Sequence, residues 1–276
     1  MDRRSFIRTA GVLGAGAAAS TLAAPAVAQG NITWRMVTTW PKNFPGLGVG
    51  AQRLADRITA ASGGRLTVQV YSAGELVPPL QSLDAVIDGT AEMSHGAAYY
   101  WQNKSPALSF FTGVPYGMTT PELTAWVRFL GGQEIWDEIY DQFGVQGFLS
   151  GNTGTQAGGW FRKKKYQDLP DDLQAIIRDV SQAEYDQVAS DFVANDPRAL
   201  KTLVDDHGVI VRAFPDDIME AGAKASVEVI EELRNSDDPL VKKTTESFIE
   251  ALNLVRVRTE TIDSPLVAAR QKYLKH

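Results

Sequence analysis

The 276 residues, 44% hydrophobic and 22% charged, suit one large or two moderate globular domains able to bury a real core. With no cysteine, disulfides, thiolate catalysis and Cys-ligated zinc or iron–sulfur clusters are excluded, and the three histidines (His95, His207, His276) show no metal-ligand spacing. The formal charge of −6 opposes nucleic-acid or anionic-membrane binding, which needs basic patches; the one basic cluster, Arg162–Lys165, reads as a solvated turn.

The N-terminus reads as a targeting segment. Arg3-Arg4-Ser5-Phe6-Ile7-Arg8 is a twin-arginine pattern, a weakly apolar run from Ala10 to Ala24 follows, and Ala26-Val27-Ala28 offers small residues for cleavage. The run is too short and too rich in Gly and Ala to span a bilayer, which takes about 20 apolar residues. Its Gly11-Val-Leu-Gly14-Ala-Gly16 cluster resembles a nucleotide loop only superficially. Residues 1–28 are therefore expected to be a twin-arginine signal peptide. The mature chain, starting near Gln29, would be exported to the periplasm, and its charge would move from −6 to −8 through loss of Arg3, Arg4, Arg8 and Asp2.

Ile32–Trp40, rich in β formers, reads as a strand, and Leu47–Ser62 as a helix with Leu54, Ala55, Ile58 and Ala61 on one face, stopped by Gly63-Gly64. Arg65–Tyr71 alternates as a second strand. Leu80–Asp88 is a short helix that Gly89 ends, and Ala91–Ser94 a third strand. Strand–helix–strand–helix–strand with short connections predicts a parallel sheet covered by helices. Ligands bind beyond the carboxyl ends of such strands, which selects the loops Thr38–Phe44, Ser72–Val77 and His95–Trp101. Tyr99, Tyr100 and Trp101 there either meet a ligand or fill the core. Thr119–Gly131 and Gln133–Phe143 read as helices and Val145–Leu149 as a strand. Pro170–His207 reads as helix broken in two by Pro197. Val209–Phe214 is apolar except for Arg212, as in a buried parallel strand. Helices Asp216–Asn235 and Pro239 to about Lys272 close the chain.

The stretch Gly151–Lys165 sets Gln156 and Trp160 among four glycines. Glycine permits close backbone approach, so the stretch either merely turns or holds a small polar ligand through the Gln156 amide. No phosphate-binding Gly-x-x-x-x-Gly-Lys-Ser/Thr loop and no Gly-x-Ser-x-Gly elbow occurs, Gly46-Leu-Gly48-Val-Gly50 lacks dinucleotide spacing, and no catalytic carboxylate pair stands out. Nothing specifies an enzyme.

Several stretches together resemble a known family: Thr39-Trp-Pro-Lys, Phe44-Pro-Gly-Leu-Gly, Gly63-Gly-Arg-Leu, Tyr71-Ser-Ala-Gly-Glu-Leu-Val-Pro-Pro, Val86-Ile-Asp-Gly-Thr-Ala-Glu-Met, Ala97-Ala-Tyr-Tyr-Trp, Val114-Pro-Tyr-Gly-Met and Asn152-Thr-Gly-Thr-Gln-Ala-Gly-Gly-Trp-Phe-Arg-Lys. They are similar to the extracytoplasmic solute receptors of TRAP (tripartite ATP-independent periplasmic) transporters, in the branch that binds 2-oxo acids. The likeness runs from about Trp34 to Lys163 and resumes from Leu169 to about Tyr273. It implies an α/β periplasmic-binding-protein-like fold. Residues 29–162 would form a first lobe with a mostly parallel sheet and a crossing strand. Residues 163–276 would form a C-terminal helical part with one strand returning to that lobe. The second lobe would be truncated, because Arg162-Lys-Lys-Lys passes straight into Tyr166-Gln-Asp-Leu-Pro.

The resemblance further implies a carboxylic-acid-binding transport component that delivers a 2-oxo acid such as pyruvate to a TRAP membrane permease. A homodimer through the C-terminal helix is a further expectation. Of the family's ligand contacts Gln156 survives, with Tyr100 and Trp40 as further candidates near the cleft. The arginine that pairs with the substrate carboxylate and the Glu-Trp pair that binds a metal ion have no counterpart here, so no metal or other cofactor is expected and binding should be impaired. The alternative is a non-transporting interaction protein that docks on the permease or on an intact receptor.

Overall fold

The structure, a computed structural model, describes residues 31–274; the signal-peptide segment read from residues 1–28 lies outside the described residues. The elements that shape the site begin with β1 (Ile32–Thr38), α1 (Leu47–Ala61), β2 (Leu66–Tyr71), α2 (Ser82–Asp88) and β3 (Met93–Gly96). After short 3-10 turns over Ala98–Trp101 and Pro106–Phe111 come α3 (Thr120–Phe129), α4 (Gly132–Asp141), β4 (Val145–Asn152) and β5 (Gln156–Arg162). The rest is helical: α5 (Lys163–Gln167), α6 (Asp171–Asp205), α7 (Asp216–Arg234), α8 (Pro239–Arg258) and α9 (Ser264–Tyr273), the last two joined by a π-turn over Thr259–Asp263.

The five strands form one sheet in the order β2-β1-β3-β5-β4. β1 pairs in parallel with β2 and β3, whereas β5 pairs antiparallel with both β3 and β4. Four strands thus share one direction and β5 alone is reversed, so the sheet is mixed. The residues read as a crossing strand lie inside this sheet, with Gly96 opposite Gly158 and Asn152 opposite Gln156.

Alternation along β5 separates two cores. Trp160 faces one, with Trp101, Trp126, Trp136 and Tyr140 under α3, α4 and α8. Ala157 and Phe161 face the other, with Trp34, Met36, Leu54, Ile58 and Ile177 under α1 and α6. Local signals mark the boundaries. Gly89 ends α2 in the left-handed conformation at φ 87°. Thr119 and Glu122 start α3 with a reciprocal capping box, the Glu122 carboxylate accepting from the Thr119 backbone N–H at 2.7 Å.

α6 is tied to α1 by a carboxylate. Glu184, fully buried, accepts from Arg53 Nε at 2.8 Å and pairs with Arg57 at 3.1 Å. Burial pushes the Glu184 carboxyl above its ordinary range, and Arg53 and Arg57 pull it back. α6 also packs along β4, and α8 packs on α3 and α4, so the described residues after Lys163 share one compact unit with residues 31–163.

Two expectations are corrected. Val209–Phe214 forms no strand and does not return to the first lobe's sheet. It lies between α6 and α7 with Ile210, Val211 and Phe214 exposed by 71%, 63% and 70%. A continuous apolar run becomes a buried strand only where a neighbour offers ladder partners, and the places in this sheet are taken by strands lying between residues 32 and 162. Pro197 does not divide the long helix: α6 runs unbroken through it for 35 residues. Proline removes the hydrogen bond to the carbonyl four residues back. That residue, Val193, is 79% exposed, so water is at hand for the freed carbonyl.

Candidate functional site

Three loops converge at the carboxyl ends of β1, β2 and β3, as the parallel order requires. The Thr39 backbone N–H donates to the His95 carbonyl (3.1 Å), and the Ala73 N–H donates to the Trp40 carbonyl (2.9 Å). Trp40 is the meeting point. Its indole Nε1 donates to His95 Nδ1 over 2.7 Å, and its ring lies 6.1 Å from Tyr100 and stacks on Phe44 at 6.3 Å.

His95 is fully buried, and desolvation of the cation holds its pKa down to about 4. With Nδ1 accepting from Trp40, the proton of the neutral ring resides on Nε2, which lies near the Ser150 backbone and has no close hydrogen-bond partner among the described residues. Tyr100 is half-buried with its ring 4.6 Å from Tyr99, and burial, reinforced by that neighbouring phenol, pushes its hydroxyl up to about 12. It remains a neutral donor.

Gln156 opens β5 at the same edge. Reversal of β5 places its first residue beside the last residues of β3, which is why residues some sixty positions apart share one edge. Thr112 links the two parts. Its carbonyl accepts from the Gln156 N–H (2.9 Å), and its hydroxyl accepts from the Tyr99 N–H (3.1 Å). The Gln156 side chain is 1% exposed, and among the described residues neither its carbonyl oxygen nor its amide nitrogen has a close hydrogen-bond partner. A buried amide in that state costs free energy that a ligand could return. Tyr185 on α6 reaches toward it, with its hydroxyl 2.5 Å from Thr124 Oγ1.

Beside this hairpin opens a cleft of about 560 Å³, lined by Thr120, Thr124, Asn152, Gly154 and Tyr185 and by the carboxylates of Asp186 and Asp196. Among the described residues no Lys, Arg or His lines it. Among the described residues no three His, Asp or Glu side chains come together, so the residues present do not fit a metal ion held by such a group.

Trp40, Tyr100 and Gln156 therefore share a sheet edge, in two groups: an aromatic one around Trp40 and His95, and a polar one around Gln156 and Tyr185. Trp101 belongs elsewhere, its ring 5.0 Å from Trp160 in the core and its indole donating to the Leu80 carbonyl. Trp160, the aromatic of the glycine-rich stretch, is likewise fully buried. Sequence reasoning missed Thr112, Thr124 and Tyr185. For Tyr185 a signal existed, since it continues the buried face Leu173, Ile177, Ser181 along α6. Nothing in the sequence marked Thr112.

Residues 36–159 match the family described as bacterial extracellular solute-binding protein, family 7. A monocarboxylate 2-oxoacid-binding periplasmic protein of a Nostoc species is 45% identical over 141 residues, which cover 50% of this chain and 38% of that protein. Among solved structures, a TRAP periplasmic solute binding protein from Pseudoalteromonas atlantica, with bound sodium and pyruvate, aligns at TM-score 0.81 and 24% identity. That alignment covers 87% of this chain and 99% of the other. A TRAP transporter solute binding protein from Bordetella bronchiseptica, with calcium and picolinate, aligns at TM-score 0.84 and 19% identity over 88% and 98% of the two chains. These structural likenesses show a shared fold. In sequence, the match to the bacterial extracellular solute-binding proteins of family 7 spans residues 36–159, and the chain spans 38% of the length of the Nostoc relative.

Proposed function

We propose that the chain is the periplasmic solute-binding component of a TRAP transporter, exported by the twin-arginine route, that holds a 2-oxo acid such as pyruvate for a membrane permease. The observation that carries this reading is Gln156: a buried amide with no close hydrogen-bond partner among the described residues, inside the segment that matches the solute-binding family. An amide can donate to a carboxylate or keto oxygen and accept from a hydroxyl. Trp40 and Tyr100 supply the aromatic wall at the same edge.

The chain would contribute the first lobe of the receptor with a shortened second lobe, and so bind weakly. Among the described residues the cleft beside Gln156 offers no cationic side chain, while Asp186 and Asp196 line it. A carboxylate held without a charge-assisted partner loses the strongest of its available hydrogen bonds. Calorimetric titration with pyruvate tests this. Weak binding that Gln156→Ala abolishes is the expected result; micromolar affinity would overturn the impairment, and affinity indifferent to Gln156→Ala would overturn the site.

The second reading, an interaction protein docking on the permease or an intact receptor, is favoured by Val209–Phe214. Its apolar side chains are exposed, and among the described residues no backbone N–H from Ile210 to Phe214 finds an acceptor. Light scattering of the chain, alone and mixed with a full-length relative, separates the readings and also reports any homodimer. A chain that stays monomeric in both samples rules the second one out.

A further inference from the structure

A separate concavity of about 280 Å³ lies between α3, α4, β4 and α6, lined by Val127, Arg128, Phe129, Gln133, Phe148, Leu149, Arg178 and Gln182. It differs from the cleft beside Gln156 in charge: among the described residues two guanidiniums line it and no carboxylate does. Its walls are apolar, with Phe148 and Leu149 from the sheet and Phe129 standing 82% exposed. Gln133 is fixed as a wall, because its amide nitrogen donates to Asp137 Oδ1 (2.8 Å) and to the Gly147 carbonyl (2.9 Å).

Both arginines are only lightly engaged. Arg128 makes one long contact with Asp186, 3.4 Å, and lies over the Tyr185 ring at 5.1 Å. Among the described residues Arg178 pairs only with its sequence neighbour Asp179, at 3.2 Å, with both side chains more than half exposed. The solvent-exposed Arg178–Asp179 pair holds its partners weakly, and the Arg128–Asp186 contact is long. A guanidinium carries five N–H donors, so most of the donors in this concavity remain free.

We propose that this concavity is a second binding site, for a monocarboxylate with an aromatic or branched apolar body. The carboxylate is held between Arg128 and Arg178, and the apolar body lies against Phe148, Leu149 and Phe129. The chemistry follows from the lining. A carboxylate relieves the repulsion between two like charges facing one hollow and accepts bidentate bonds from a planar guanidinium. The apolar body removes hydrocarbon surface from water. The size suits a small acid, since the hollow is at the lower end of the few-hundred-Å³ range of ligand pockets.

The test is calorimetric titration of the chain with 3-phenylpropionate and, separately, with its neutral amide. The acid should bind and the amide at least about tenfold more weakly, as loss of a charge-assisted bond implies. Arg178→Gln should weaken the acid about tenfold, and because Arg178 has no structural partner beyond Asp179 this variant should fold normally. Arg128→Gln should weaken it as well, with some loss of α3–α6 packing. Gln156→Ala should change nothing, which keeps this site distinct from the 2-oxo-acid reading. Equal binding of acid and amide, undiminished affinity in Arg178→Gln, or no heat up to about 10 mM acid would each overturn the proposal.

Discussion

The Trp40 indole donates to Nδ1 of His95 across 2.7 Å, and this bond fixes the tautomer of an imidazole that no solvent reaches. It joins the loop after β1 to the end of β3, so the geometry of the sheet edge depends on His95 staying neutral.

That dependence has a sign. The folded pKa of His95, about 4, lies below the ordinary 6.5, so the unfolded chain binds the proton more readily. Stability from this group is present above pH 6.5 and is lost as pH falls toward 4, up to roughly 3 kcal/mol. His95→Gln, which retains an acceptor for Trp40, should flatten the fall in denaturation midpoint between pH 7 and 4.5. Identical slopes in the two proteins would remove His95 from the account.

Glu184 clamps α6 to α1 through Arg53 and Arg57. Glu184→Ala leaves two cations facing an emptied site and should cost about 2–4 kcal/mol, toward the lower end of a broken buried pair because both arginines are partly solvated. Chemical denaturation reads the loss, and a change under 0.5 kcal/mol, the ordinary scale of a surface substitution, would show that the clamp is dispensable.

Gln156 is expected to trade stability for function. Replacing its unpaired amide by leucine removes two buried polar atoms without partners and should raise stability by about 1–2 kcal/mol. Thermal unfolding checks this, with pyruvate titration run alongside. A lowered midpoint would mean that the amide is satisfied in solution.

Gly46 sits at φ 71°, and a methyl group there would come 2.0 Å from the Phe192 ring of α6. Gly46→Ala should therefore destabilise by about 1–3 kcal/mol, from a left-handed backbone and overpacking together. Adding Phe192→Ala should recover the steric part only. A fully additive double variant would contradict the contact.

At Val209–Phe214 the expectation is neutrality. Ile210→Asp or Val211→Asp alters an exposed, unpaired segment and should change stability by no more than about 0.5 kcal/mol. A larger loss would place the segment in a packed interface.

The sequence by itself determined the local elements of the first half and the edge at which the site lies. Apolar spacing marked α1, alternation marked β2, and Gly89 marked the end of α2, because these signals act over a few residues. The parallel order β1-α1-β2-α2-β3 then selected the loops holding Trp40 and Tyr100. Only the tertiary structure decided the rest. The reversed direction of β5 brought Gln156 to that edge, Thr112 bridged it to Tyr99, and Tyr185 arrived from a helix in the second half of the chain. Val209–Phe214 shows the reason: hydrophobicity records a capacity for burial, but whether a strand forms depends on partners far away in sequence, which no local pattern contains.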